Sequence, residues 1–140
     1  MTDPGFTTPA RDLVTRDTVF VDLDDSLRVA ARLLWEHDVG LLVVGTAERA
    51  EGVLSERDVS GAVAVGLDLD ATSVREAMAD AVVTAAAADP AYDLALQMLD
   101  RGIRHLPVTD DGRVVGVVSL RDLIRPLVVG ALTSKPSEAS

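Results

Sequence analysis

The chain has 140 residues, 48% hydrophobic and 26% charged, the balance of a globular protein with one ordinary domain or two very small ones. No cysteine is present, which excludes disulfides, thiolate zinc sites, iron–sulfur clusters and a cysteine nucleophile. Thirteen basic against twenty-three acidic residues leave a net charge of −10, so neither nucleic acid nor an anionic membrane is expected as a partner.

A small anionic ligand remains compatible with that balance, because a few local arginines outweigh a distant acidic surface. The single lysine, Lys135, lies in a polar tail, which leaves no phosphate-loop or Schiff-base lysine. The first residues lack a cationic stretch leading into an apolar run. Apolar runs such as 41–44 fall far short of the ~20 residues of a spanning helix. A cytoplasmic protein is the expectation.

Residues 1–9 are expected to be a flexible tail. Residues 18–21 are β-type, and Asp25-Ser26 is a helix cap ahead of a stripe of Leu27, Ala30, Ala31 and Leu34. Residues 41–44 and 52–54 read as strands joined through 45–49, and Ser55 opens a helix. Residues 66–72 form a link, and 73–79 a short helix. A β-type run over 81–84 precedes Asp89-Pro90, read as a cap with proline at the first helical position. Leu94, Met98 and Leu99 recur at helical spacing until Gly102 stops the helix. Residues 105–109 and 114–118 are strands about an Asp110-Asp111-Gly112 turn. Ser119 then starts a helix, with Asp122 placed to complete a capping box. Residues 131–140 are expected to be a second flexible tail. His37 reads as a solvated helix-end residue, Trp35 and Tyr92 as packing residues.

This order, β-α-β-β-α, occurs twice. Gly52-Val53-Leu54-Ser55-Glu56-Arg57-Asp58-Val59 returns 64 positions later as Gly116-Val117-Val118-Ser119-Leu120-Arg121-Asp122-Leu123. Without a gap, Leu42 meets Leu106, Val44 meets Val108 and Asp25 meets Asp89.

Gly102-Ile103-Arg104-His105-Leu106-Pro107-Val108, followed by Gly116 to Asp122, resembles a CBS motif. The tandem pair resembles a Bateman module, with one motif over 10–66 and the second over 73–127. The resemblance implies an α/β fold of two β-α-β-β-α repeats about a pseudo-twofold axis. It also implies a non-catalytic regulatory module that binds an adenosyl nucleotide (AMP, ADP, ATP or S-adenosylmethionine) in clefts between the motifs. No obligatory cofactor and no metal are expected. The module would report to an unknown regulated protein.

Carried over position by position, Ser119, Arg121 and Asp122 form one polar set, with Val83, Ile103, Arg104, His105 and Pro107 along its base and phosphate region. Ser55, Arg57 and Asp58, with Val19 and Val39, form the other. A serine at a helix start, with the free amides of that turn, suits phosphate. An aspartate one turn on can accept two hydrogen bonds from a ribose diol, and an arginine between them can pair with phosphate. The plainer reading is that both serines are ordinary N-caps and both aspartates serve the helix dipole.

Copy one departs from the pattern, with Gly40-Leu41 where copy two has Arg104-His105, and Val43 where it has Pro107. Asp22, Asp24, Asp25 and Asp38 also crowd copy one. The second copy is therefore expected to bind more tightly. The alternative functions are a dimerisation scaffold without a nucleotide and, more remotely, a magnesium-dependent phosphohydrolase, because Asp22-Leu23-Asp24 after a hydrophobic strand resembles the first motif of haloacid-dehalogenase-like phosphatases. A homodimer is expected from the apolar residues Val59, Ala62, Val63, Leu123, Ile124, Leu127 and Val128, more than one short helix face needs.

Overall fold

The computed structural model describes residues 5–80 and 82–133. They divide into two compact units. One comprises Thr18–Val83 with Asp111–Val114; the other comprises the N-terminal segment through Asp17, Thr84–Asp110 and the segment from Val115 onward.

In the first unit, strands β1 (Phe20–Val21), β2 (Leu41–Gly45) and β3 (Ala50–Ser55) form a sheet in that order. β1 and β2 are parallel, with Phe20 opposite Val43. β2 and β3 are antiparallel, with Leu41 opposite Ser55 and a bulge between Val44 and Gly45. Gly45 takes φ 107°, a value that leaves glycine as the residue of choice there. Helix α1 (Leu27–His37) starts where the Ser26 side chain accepts from the Val29 N–H, and ends at Asp38 in the left-handed conformation. Helix α2 (Glu56–Ala64) and the single turn α3 (Val74–Ala77) complete the unit. Val21, Leu27, Ala30, Leu34, Leu42, Val44, Leu54, Ala62 and Val74 are its core.

The second sheet and its helices repeat this plan with β4 (Ala85–Ala86), α4 (Ala91–Arg101), β5 (His105–Asp110), β6 (Arg113–Ser119) and α5 (Leu120–Thr133). Asp111 and Gly112 both have positive φ, 55° and 77°, as the two-residue hairpin turn requires. Gly102 closes α4 at φ 64°. Core volumes trade places between the copies: Leu27 and Ala30 correspond to Ala91 and Leu94, all fully buried.

Several expectations need correction. The strand expected over 81–84 lies at Ala85–Ala86, paired with Val108 and Thr109, while Ala81 falls outside the described residues. The reason is Pro107. In the first unit the Val43 N–H donates to the Val19 carbonyl at 3.0 Å; Pro107 occupies the equivalent position and has no N–H to give. Asp89 is not the cap of α4, which is Pro90; the Asp89 carboxylate instead accepts from the Ala86 N–H at 2.9 Å. Trp35 is 86% exposed rather than packed, while Tyr92 meets Phe6 edge-to-face.

Residues 5–9, expected in a flexible tail, are held in place. Pro9 bridges Pro90, and the Ala91 and Tyr92 N–H groups donate to the Thr8 and Phe6 carbonyls. At the other end α5 runs to Thr133, through part of the expected tail; residues 134–140 lie outside the described residues.

The sequence repeat and the spatial unit also do not coincide. In the first unit the Val74 N–H donates to the Asp25 carbonyl and the Arg75 N–H to the Leu23 carbonyl, at 2.8 and 3.0 Å. In the second, Ala10 and Arg11 donate to Asp89 and Ala87 at 2.8 and 2.9 Å, 64 positions removed in every partner. Each repeat's leading turn thus packs with the body of the other repeat.

Two glycines set that packing. A Cβ on Gly52 would lie 2.7 Å from the Ala79 carbonyl oxygen and 2.8 Å from the Met78 sulfur; one on Gly116 would lie 2.3 Å from a Val14 methyl. Gly52→Ala is expected to cost about 1–3 kcal/mol, because the obstacle includes backbone that cannot step aside. Gly61→Ala, at a position with open space around it, should cost nothing comparable. Urea denaturation of the two variants checks the contrast.

Candidate functional site

Both polar sets form where an antiparallel strand runs into a helix. Ser55 ends β3 in extended conformation, φ −98° and ψ 163°, and caps α2. Its N–H donates to Asp58 Oδ2 at 2.8 Å while its Oγ accepts from the Asp58 N–H at 3.1 Å. In the second unit the Ser119 N–H donates to Asp122 Oδ2 at 2.8 Å, and the Asp122 N–H donates back to Ser119 Oγ at 3.3 Å. These are reciprocal capping boxes, so the plainer reading of both motifs is correct as far as it goes. It does not exhaust them. Among the described residues, the bonds to each aspartate use Oδ2 and leave Oδ1 open, and all four side chains are only half-buried.

A carbonyl from the residue just ahead of a strand completes each site. The Glu56 N–H donates to the Gly40 carbonyl at 3.0 Å, and the Leu120 N–H to the Arg104 carbonyl at 2.7 Å. This was not legible from spacing, and it corrects the expected cradle of free amides. The first and third amides of each helix are already engaged, so a phosphate here depends chiefly on arginine side chains. Arg57, Arg104 and Arg121 are exposed, and none forms an ion pair among the described residues.

The remaining candidates divide by environment. Val19 and Val39 are half-buried against the first unit's core, so part of each surface is committed to packing. The Val39 and Ile103 N–H groups close α1 and α4 by donating to the Leu34 and Met98 carbonyls, which places both residues just ahead of the site-bearing strands. His105 is half-buried at the first position of β5, and Pro107 is buried two residues on. Val83 is half-buried ahead of β4.

Of the acids expected to crowd the first site, Asp38 ends α1 two residues ahead of Gly40, while the other three lie elsewhere. Asp22, Asp24 and Asp25 line a cavity of about 410 Å³ with Leu23, Gly45, Thr46, Arg49 and Glu51. Gly45 and Ser55 lie at opposite ends of the β2–β3 ladder, because Leu41, not Gly45, pairs with Ser55. Four residues of strand separate them, roughly 13 Å, so salt screens most of the repulsion. Asp25 accepts from the Asp22 N–H, and Asp24 pairs with Arg75 at 3.2 Å, so this turn carries structural bonds of its own.

The CBS domain profile matches residues 10–65 and 74–129. The chain belongs to the CBS domain family, as a tandem pair. It is 31% identical over 122 residues to hypoxic response protein 1 of Mycobacterium tuberculosis, covering 86% of this chain and 85% of that one. It superposes on a CBS domain protein from Pyrobaculum aerophilum complexed with AMP with a TM-score of 0.79, at 31% identity, over 90% of this chain and 99% of the other. A CBS domain pair in complex with 5′-methylthioadenosine and S-adenosyl-L-methionine gives a TM-score of 0.74 at 26% identity, over 85% and 94% of the two chains. The fold is thus the mixed α/β fold of tandem CBS proteins.

Proposed function

We propose that the chain is a non-catalytic regulatory module that binds an adenosyl ligand at the Ser55–Asp58 and Ser119–Asp122 ends and passes the signal to another protein. One observation carries this: each half-buried aspartate is held by its serine through Oδ2, and none of its bonds among the described residues uses Oδ1. A carboxylate so oriented suits a ribose diol. The AMP-bound and S-adenosylmethionine-bound relatives support the ligand class. Arg121, Arg104 and His105 would meet phosphate or base at the second end, Arg57 at the first, with Ile103 and Pro107, or Val19 and Val39, as apolar walls. We place the protein in the cytoplasm; no helix among the described residues is long and apolar enough to cross a membrane.

Titration calorimetry with AMP, ATP, S-adenosylmethionine and NAD tests this reading. Saturable binding of at least one adenosyl compound is expected, with a raised melting temperature; ligand at 100 times its Kd adds about 2.7 kcal/mol. A panel without binding would sink it.

Assembly as a homodimer belongs to the same proposal, on a narrower surface than the sequence implied. Ala62 and Leu123 are core residues and Val59 packs against the core. What remains outside is Val63 on α2, 57% exposed, and a stripe on α5, with Leu120, Ile124, Val128 and Leu132 at every fourth residue and 41–70% exposed. A scaffold reading would rest on these residues. Sedimentation at micromolar concentration is expected to give a dimer of the 14.7 kDa chain, and a monomer would count against it.

A further inference from the structure

We propose that the two binding ends differ in ligand charge: the second takes a phosphorylated adenosine nucleotide, the first an adenosine compound without an anionic phosphate. This rests on the adenosyl-binding reading above and goes beyond it by assigning specificity to Arg104 and Glu56.

The two ends share their backbone. Serine caps, aspartate boxes and the carbonyl-to-amide bonds superimpose position for position, 64 residues apart. The charges do not follow. At the first helical position stands Glu56 in one copy and Leu120 in the other; at the residue just ahead of β2 or β5, whose carbonyl accepts from that position, stands Gly40 in one and Arg104 in the other. Glu56, Arg57 and Asp58 carry one net negative charge; Arg104, Arg121 and Asp122 carry one net positive charge.

The difference acts at short range. The Leu120 amide donates to Arg104's own carbonyl at 2.7 Å, so the Arg104 backbone abuts the start of α5, and its exposed side chain forms no ion pair among the described residues that would hold it elsewhere. Backbone amides do not compensate in the first copy, because Glu56 and Asp58 have already spent theirs on Gly40 and Ser55. A phosphate at α2 would face Arg57 with Glu56 beside it. At α5 it would face two arginines and no added acid.

The experiment isolates each end. Asp58→Asn leaves the second end intact and Asp122→Asn the first; each is titrated with AMP and with adenosine. The ratio of AMP to adenosine affinity is expected to be about tenfold or more higher in the Asp58→Asn protein, and to shrink as salt is raised. Adding Arg104→Gly or Leu120→Glu to that protein should lower AMP affinity several-fold more than adenosine affinity, bringing the ratio toward that of the first end; circular dichroism confirms that each is folded. Equal ratios at the two ends, or a higher ratio at the first, would overturn the proposal while the adenosyl reading stands. Failure of the wild-type chain to bind either compound would overturn this proposal, and failure across the whole adenosyl panel would overturn the adenosyl reading with it.

Discussion

Leu106→Ala and Leu42→Ala are each expected to remove about 2–5 kcal/mol of stability. Both leucines are fully buried and lie on the middle strand of their three-stranded sheets. The loss combines the transfer energy of the deleted carbons with the cavity left behind, and a domain of this size has only about 5–15 kcal/mol to lose. Leu99→Ala is the control. It removes the same atoms from a side chain that is 74% exposed, and should stay within about 0.5 kcal/mol of the parent. Urea titrations should be followed by far-ultraviolet circular dichroism, because Trp35, the single tryptophan, is already exposed and reports little on unfolding. A Leu106→Ala midpoint as close to the parent's as that of Leu99→Ala would show that β5 does not present that face to the core.

The repeat was legible because the chemistry that defines it is local. Capping boxes, the Asp111-Gly112 turn, the Gly102 stop and the apolar stripe of α1 are each fixed by a few neighbouring residues, and each appears in the structure. What sequence could not supply was which copy an element packs on. Ala10 and Val74 occupy equivalent positions and donate to equivalent carbonyls, but each does so with the body of the other repeat. Spacing along the chain carries no information about that exchange. Nor does composition distinguish an apolar excess meant for a partner from one consumed inside: Leu123 and Ile124 are neighbours on one helix, and one is fully buried, the other 58% exposed.

One substitution carried its own warning. Proline at 107 was read as part of a binding pattern, while its missing N–H also decides where β4 can pair. The candidate site could be named residue by residue from the sequence, but its geometry could not be read there. The Ser-x-x-Asp spacing predicts a capping box whether or not a ligand binds, and the carbonyls of Gly40 and Arg104 enter it from just ahead of a strand, fifteen or sixteen residues away.

Because the cap and the proposed ligand contact share one carboxylate, Asp122→Asn and Asp122→Ala are expected to behave differently. Asparagine keeps one oxygen, which can continue to accept from the Ser119 N–H now held at 2.8 Å by Oδ2. Its amide then occupies the place of Oδ1 and can only donate. The α5 cap survives, and the melting temperature should hardly change. Affinity for an adenosyl ligand should fall roughly ten- to hundredfold, the equivalent of a charge-assisted bond worth about 1.5–3 kcal/mol. Alanine removes both functions, so the same loss of affinity should come with about 1 kcal/mol of lost stability. Thermal melts and calorimetric titrations on the two variants separate the roles. If the asparagine variant bound as tightly as the parent, the open oxygen of Asp122 would not be the diol acceptor, and the box would be a helix cap alone.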